Sequence, residues 1–119
     1  MDLDRALSFS RYAERALGAQ PGLRDEIAAT LDTPFDWATA TPELDALVAS
    51  GDAAALARGL RTLRRRVFVH TLARDLTRRA AFGEVVAAMT QLAERTLLAA
   101  VDVHTRALAD VHGMCRLRR

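Results

Sequence analysis

The stretch DAAALARGLRTLRRRVFVHTLARDLTRRA, residues 52–80, decides the fold. Leu56, Leu60, Leu63 and Val67 recur every three or four residues, which gathers them on one face of an α-helix and on neither face of a strand. The stripe drifts onward through Phe68, Leu72 and Leu76. Asp52, ahead of three alanines, is a natural N-cap, because its carboxylate can accept from N–H groups that no earlier carbonyl reaches. No proline interrupts the run. Its one glycine, Gly59, reads as a point of close approach to a neighbour. The pattern predicts one arginine-rich helix from about Asp52 to Ala80.

Working outward, Gly83 separates this helix from a last one over about Glu84 to His112. Its apolar positions include Val85, Val86, Met89, Leu92, Ala93, Leu97, Ala100, Val101, Leu108 and Val111. Two long helices joined by a short turn pack antiparallel. Upstream, Leu7, Tyr12, Ala13, Ala16 and Leu17 share a face of a helix over about Leu3 to Ala19, punctuated by Gly18 and Pro21. Pro21 suits the first turn of a second helix with the stripe Leu23, Ile27, Leu31. Residues Asp32 to Thr41 read as an irregular connection in which Phe35 and Trp37 plug a gap between helices. Thr41 as N-cap and Pro42 at the first helical position then open a short helix that buries Leu44, Leu47 and Val48 and stops at Ser50-Gly51. The expected fold is all-α: an irregular antiparallel bundle of about five helices, two of them long.

The 119 residues suffice for a single domain. Half are apolar but only 5% aromatic, so the core must be Leu, Val and Ala between closely packed helices. All 17 basic side chains are arginine, yet the net charge is only +2, too little to steer a nucleic acid, and no nucleic-acid partner is expected. No stretch reaches the ~18 uninterrupted apolar residues of a membrane span, so no membrane partner is expected. Met1-Asp-Leu-Asp-Arg5 lacks the basic-then-apolar order of a secretory signal, which makes the cytoplasm the expected location. Cys115 is the single cysteine and can form no disulfide within the chain.

Charge is densest at Arg61, Arg64, Arg65 and Arg66. Arg61 and Arg65 stack one turn apart, while Arg64 and Arg66 point to other sides. That spread favours a solvated face, one side of which could touch an acidic partner. Farther along, Asp75 and Arg79 stand four apart in the favourable order for a helix ion pair. One of Arg74 and Asp75 should face inward beside Ala73 and Leu76, with His70 one turn away as its partner. His70, His104 and His112 do not have the spacing of a metal set. No glycine loop that could cradle phosphate, no nucleophile beside a base and no strand-borne carboxylate pair is present, so no catalytic, cofactor-binding or metal residue can be assigned.

One resemblance goes further. Leu60-Arg-Thr-Leu-Arg-Arg-Arg-Val-Phe-Val-His-Thr-Leu-Ala-Arg-Asp-Leu76 resembles a helix of the bifunctional glutamine synthetase adenylyltransferase/adenylyl-removing enzymes. Ser10-Arg-Tyr-Ala-Glu-Arg-Ala-Leu17 with Pro21-Gly-Leu23, and Phe82-Gly-Glu-Val85 with Leu92-Ala93, are similar to its neighbours in the same order, to about Gly113. The resemblance implies a large enzyme with two nucleotidyltransferase halves that attaches AMP to glutamine synthetase and removes it by phosphorolysis. ATP and Mg2+ would serve that chemistry, and a nitrogen-signalling regulatory protein would control it. Residues 1–112 would be the helical lead-in to the adenylyl-removing half, and 113–119 a short basic tail that reads like a truncated or shifted frame. The family's Gly-Lys-Leu-Gly-Gly type loop and Ser-Asp-Leu-Asp type metal motif have no counterpart here, so this chain alone is expected to be inactive and to hold no cofactor. Its Arg61, Arg64, Arg65, Arg66, Arg74 and Asp75 become a candidate docking surface for the missing catalytic part. The alternative is a stand-alone helical module that binds an acidic partner through the arginine face. Helices built to pack on something larger would also leave apolar surface bare, and self-association through it is expected.

Overall fold

The computed structural model describes the backbone of residues 2–117 and, in the last helix, side chains as far as Arg106 together with Leu108. Six helices follow one another: α1 (Leu3–Ser8), α2 (Arg11–Ala19), α3 (Leu23–Thr30), α4 (Trp37–Ser50), α5 (Ala53–Leu76) and α6 (Phe82–Leu117). The described residues contain no strand, and the class is all-α.

The expected first helix is two. Ser10 leaves helical geometry at φ −119° and ψ 119°, and its hydroxyl accepts the Ala13 N–H at 3.2 Å, so it caps α2 and ends the run begun at Leu3. This turns α2 relative to α1 and lets Leu7, Ala13 and Ala16 meet in one cluster. Pro21 is not in the first turn of the next helix either. Pro21 and Gly22 form a turn, with Gly22 at φ +88°, a conformation glycine adopts without strain.

The expected loop around Trp37 is shorter than predicted. Asp36, not Thr41, caps α4: its carboxylate accepts the Ala38 N–H at 3.0 Å and the Thr39 hydroxyl at 2.6 Å. Pro42 therefore lies inside the helix. Proline there forfeits one backbone hydrogen bond, and packing of the early turn offsets the loss. Phe35 and Trp37 meet edge to face at 5.0 Å, and the Arg95 guanidinium covers the Trp37 ring at 4.7 Å while donating to the Thr41 hydroxyl at 2.8 Å.

Asp52 caps α5 as expected, accepting from the Ala54 and Ala55 N–H groups at 3.0 and 3.1 Å. The helix stops at Leu76, four residues before the predicted end. Arg78 takes the left-handed conformation at φ +61°, and the Arg79 N–H donates back to the Arg74 carbonyl at 2.7 Å. This termination is built without glycine, which is why no sequence signal marked it.

Residues 77–81 return the chain so that α6 packs antiparallel along α5. Two hydrophobic clusters result, and α5 contributes to both. Val69 and Ala73 join Leu7, Ala13, Leu23 and Ile27 from the N-terminal helices. Leu56, Leu63 and Val67 join Ala40 and Leu44 of α4 and Leu92, Ala99 and Val103 of α6. Gly59 is the close approach foreseen: a Cβ placed there would overlap the Leu47 side chain of α4.

The molecule measures 65 × 29 × 22 Å, with a radius of gyration of 17.4 Å. A compact chain of this length would have about 13–14 Å. The excess comes from α6, whose 36 residues run about 54 Å against about 36 Å for the 24 of α5.

Candidate interaction surface

Arg74 is the inward-facing member of its pair with Asp75, only 4% exposed, and its partner is not His70. It grips Glu84 of α6 through Nε to Oε2 at 2.7 Å and Nη2 to Oε1 at 2.8 Å. Nη1 donates to the Leu31 carbonyl at the end of α3 at 2.7 Å, and Nη2 also reaches the Arg79 carbonyl at 3.2 Å. One planar cation thus joins α3, α5, the turn and α6, with its charge balanced by a fork-to-fork carboxylate. The hydrogen bonds and charge of Arg74 hold the Glu84 carboxyl below its ordinary range despite partial burial. The same carboxylate holds the Arg74 guanidinium more firmly in its charged form.

Arg66 is likewise committed within the molecule. Nε donates to Glu26 of α3 at 2.8 Å, Nη1 to Glu43 of α4 at 3.3 Å, and the guanidinium lies 5.7 Å from the Phe35 ring centre. Its side chain is 15% exposed, against 40% and 66% for its carboxylate partners, so the pair seals a seam rather than standing free. Arg79 pairs with Asp32 at 2.9 Å and not with Asp75, because Arg78 has already turned the chain out of the helix.

His70 is buried at 3% exposure. Its Nε2 lies 3.0 Å from the Thr30 carbonyl, so that nitrogen must carry the hydrogen, and Nδ1 is left as a buried lone pair with no partner. Burial pushes its pKa below the ordinary histidine value, and the neutral form is the native one.

The remaining members of the sequence-derived surface face outward. Arg61, Arg64 and Asp75 are exposed and Arg65 is half-buried. Among the described residues none of them makes an ion pair. Arg58, one turn before Arg61 and also exposed, extends the group. Its i, i+3, i+7 spacing with Arg61 and Arg65 was visible in the sequence but overshadowed by the denser run. Glu26, Glu43 and Glu84, which settle the fates of Arg66 and Arg74, carried no local signal, since two lie at least 23 residues from their arginine and the third lies across a turn.

Among the described residues no three His, Cys, Asp or Glu side chains come together as metal ligands would, and no helix is long and apolar enough to cross a membrane. The side chains of Val111, His112 and Cys115 lie outside the described residues.

Charge pairs that tie helices together inside, and an arginine group outside that makes no ion pair among the described residues, belong to an all-α helical bundle. The family model for glutamate-ammonia ligase adenylyltransferase matches residues 1–117, and the chain belongs to that family. It is 40% identical over 101 residues to a bifunctional glutamine synthetase adenylyltransferase/adenylyl-removing enzyme of Nitrosomonas europaea, an alignment covering 83% of this chain and 11% of the relative. Relatives with the same description in Burkholderia mallei and Aromatoleum aromaticum are 37% and 35% identical, over 91% and 93% of this chain and 12% of each relative. The chain therefore spans about one ninth of the length of the curated relatives it matches. No solved structure matches it.

Proposed function

We propose that this chain is the helical lead-in of a glutamine synthetase adenylyltransferase/adenylyl-removing enzyme, residues 1–112 forming the lead-in and 113–119 a basic tail. On this reading it is a docking scaffold with no chemistry of its own. The observation that carries the proposal is the division of labour among the arginines. Arg66 and Arg74 hold the bundle together, while Arg58, Arg61, Arg64 and Arg65 form an outward group with no carboxylate partner among the described residues. Such a group is suited to an acidic surface on the rest of a family-length polypeptide. ATP and Mg2+ belong to that remainder. Among the described residues the donors do not fit a magnesium nucleotide, for no three candidate metal ligands converge there and the positive-φ glycines, Gly22 and Gly51, stand singly at helix ends. Glutamine synthetase and a nitrogen-signalling regulatory protein would be partners of the complete enzyme, and the cytoplasm its location.

The test is complementation. A family enzyme lacking the corresponding residues is mixed with this chain, and ADP release from adenylylated glutamine synthetase is followed in the presence of phosphate and Mg2+. The chain alone should release none, and the mixture should regain activity that Arg61→Glu with Arg65→Glu weakens. ADP release by the chain alone, or no effect of the chain on the shortened enzyme, would overturn the proposal.

The alternative, a free-standing module for an acidic protein, draws on the same exposed arginines. It predicts a salt-sensitive complex that forms without any adenylyltransferase, and it fails if the chain captures nothing in a charge-dependent way.

A further inference from the structure

The chain holds one tyrosine, one tryptophan and four phenylalanines, and two of these rings meet at the surface where α2 touches α5. Tyr12 and Phe68 pack edge to face at 4.7 Å between ring centres. Tyr12 remains 39% exposed and Phe68 is half-buried, while Phe9, three residues before Tyr12, is 65% exposed. Unlike Phe35 and Trp37, neither ring carries a guanidinium over its face among the described residues. Arginines nevertheless surround the pair. In helical projection Phe68 falls inside the sector spanned by Arg58, Arg61, Arg64 and Arg65, about 120° wide, with Arg64 and Arg65 one turn before it. On α2, Arg15 stands one turn after Tyr12 and is exposed. None of these five arginines makes an ion pair among the described residues. Residues 53–74 contain no Asp or Glu, and Glu14 of α2 points about 160° away from Tyr12.

We infer that this corner binds an acidic peptide segment with an aromatic side chain set among its carboxylates. The guest ring seats on Tyr12 and Phe68, and the carboxylates reach the arginines of both helices. The inference rests on the docking reading above, on which the segment belongs to the remainder of a family-length polypeptide, and it states what that segment must carry. Charge complementarity selects the acid, because the arginines have no carboxylate of their own to displace. The open rings select the anchor. Tyrosine and arginine are the side chains that carry most energy at interfaces, once an apolar contact drives the water from around them. An aromatic guest gains from the ring pair and from the flat guanidinium faces at once. Arg58 lies ten residues before Phe68, about 15 Å along α5, so the acidic side chains extend roughly four or five extended residues from the anchor. A nucleic acid fits the corner poorly. The α5 arginines fan across their sector instead of forming a line, and the net charge is only +2.

Fluorescence anisotropy of a labelled peptide titrated with the full chain tests this. The probe is about twelve residues long, glutamate-rich with one central tryptophan, and its companion carries alanine in place of the tryptophan. The tryptophan peptide is expected to bind about five-fold more tightly than the alanine one. Tyr12→Ser should erase that preference, and Tyr12→Phe, which keeps the ring pair, should preserve it. Arg15→Glu should weaken both peptides about three-fold or more, whereas Arg78→Glu, exposed beyond the end of α5, should leave both nearly unchanged. Circular dichroism should show the same helix content in all four variants. Equal affinity for the two peptides would overturn the inference, and so would tighter binding of an oligothymidylate of the same length. Equal affinity beside an intact effect of Arg61→Glu with Arg65→Glu would leave the docking reading standing. A tryptophan preference beside failed complementation would sink that reading alone.

Discussion

The Arg74 guanidinium and the Glu84 carboxylate meet face to face across the α5–α6 turn, through two hydrogen bonds of 2.7 and 2.8 Å. Arg74 is almost wholly buried while Glu84 keeps about a quarter of its side chain in solvent. Removing the carboxylate charge strands a buried cation, whereas removing the cation leaves a carboxylate that water can still reach.

Glu84→Gln should accordingly destabilise the chain by about 2 kcal/mol, below the 3–5 kcal/mol of a fully buried pair because of that residual solvent. Arg74→Lys should cost a similar amount, since a lysine cannot serve the carboxylate and the Leu31 carbonyl together. Urea unfolding would show both as a lower midpoint at unchanged slope. A change under 0.5 kcal/mol in either would mean that the clamp is ornamental.

His70 makes stability depend on acidity. Its folded pKa lies below the unfolded value of about 6.5, so its contribution is complete above that value and is lost as pH falls through the interval between the two. Glu84, whose folded pKa is also lowered, adds a second loss that begins near pH 4.5 and deepens below it. Unfolding followed between pH 7.5 and 4 should show both limbs. His70→Gln, which keeps an N–H donor for Thr30, should abolish the upper limb and leave the lower one.

At the α4–α5 contact, Gly59→Ala sets two effects against each other. It gains about 1 kcal/mol of helix propensity, and it displaces Leu47. A cavity of about 160 Å³ beside Leu44, Leu47 and Gly59 lets the leucine tip move, so the net change should stay near zero. Gly59→Val adds a branch and should destabilise by roughly 2 kcal/mol. In a Leu47→Ala background the alanine at 59 should become stabilising, and a thermal-melt cycle of the four proteins would measure the coupling.

Arg78 holds a left-handed conformation that a side chain resists. Arg78→Gly should raise stability by roughly 0.5–1 kcal/mol, part of the relief being offset by the freer unfolded chain. An increase of about 3 °C in melting temperature is expected. A fall would show that the Arg78 side chain contributes something the backbone does not record.

What could be read from sequence followed locality. Asp52 and the Leu56–Leu63–Val67 stripe belong to one helix, so period and cap suffice to place α5. The two clusters, the depth of Arg74 and the role of Glu84 depend on which helices touch, and periodicity is silent on that. Pro42 was read as a helix start because proline is well tolerated there, yet the Asp36 cap and the Phe35–Trp37 contact moved the true start back by five residues. The apolar positions read for α6 do not share one face. Val86, Ala93, Leu97, Val101 and Leu108 point away from Leu92, and only the position of α5 tells the two sides apart. Of the docking candidates, Arg61, Arg64, Arg65 and Asp75 stand outward, while Arg66 and Arg74 have internal partners that no short-range pattern announces.

A chain with two separate cores would ordinarily melt in two stages. Here α5 is a wall of both, giving Val69 and Ala73 to one and Leu56, Leu63 and Val67 to the other. Neither core can dissolve without baring a flank of the same helix, so the whole length of α5 behaves as a common axle. Amides along it should exchange with solvent last and together, and a probe placed at Ile27 or at Leu92 should report one and the same transition.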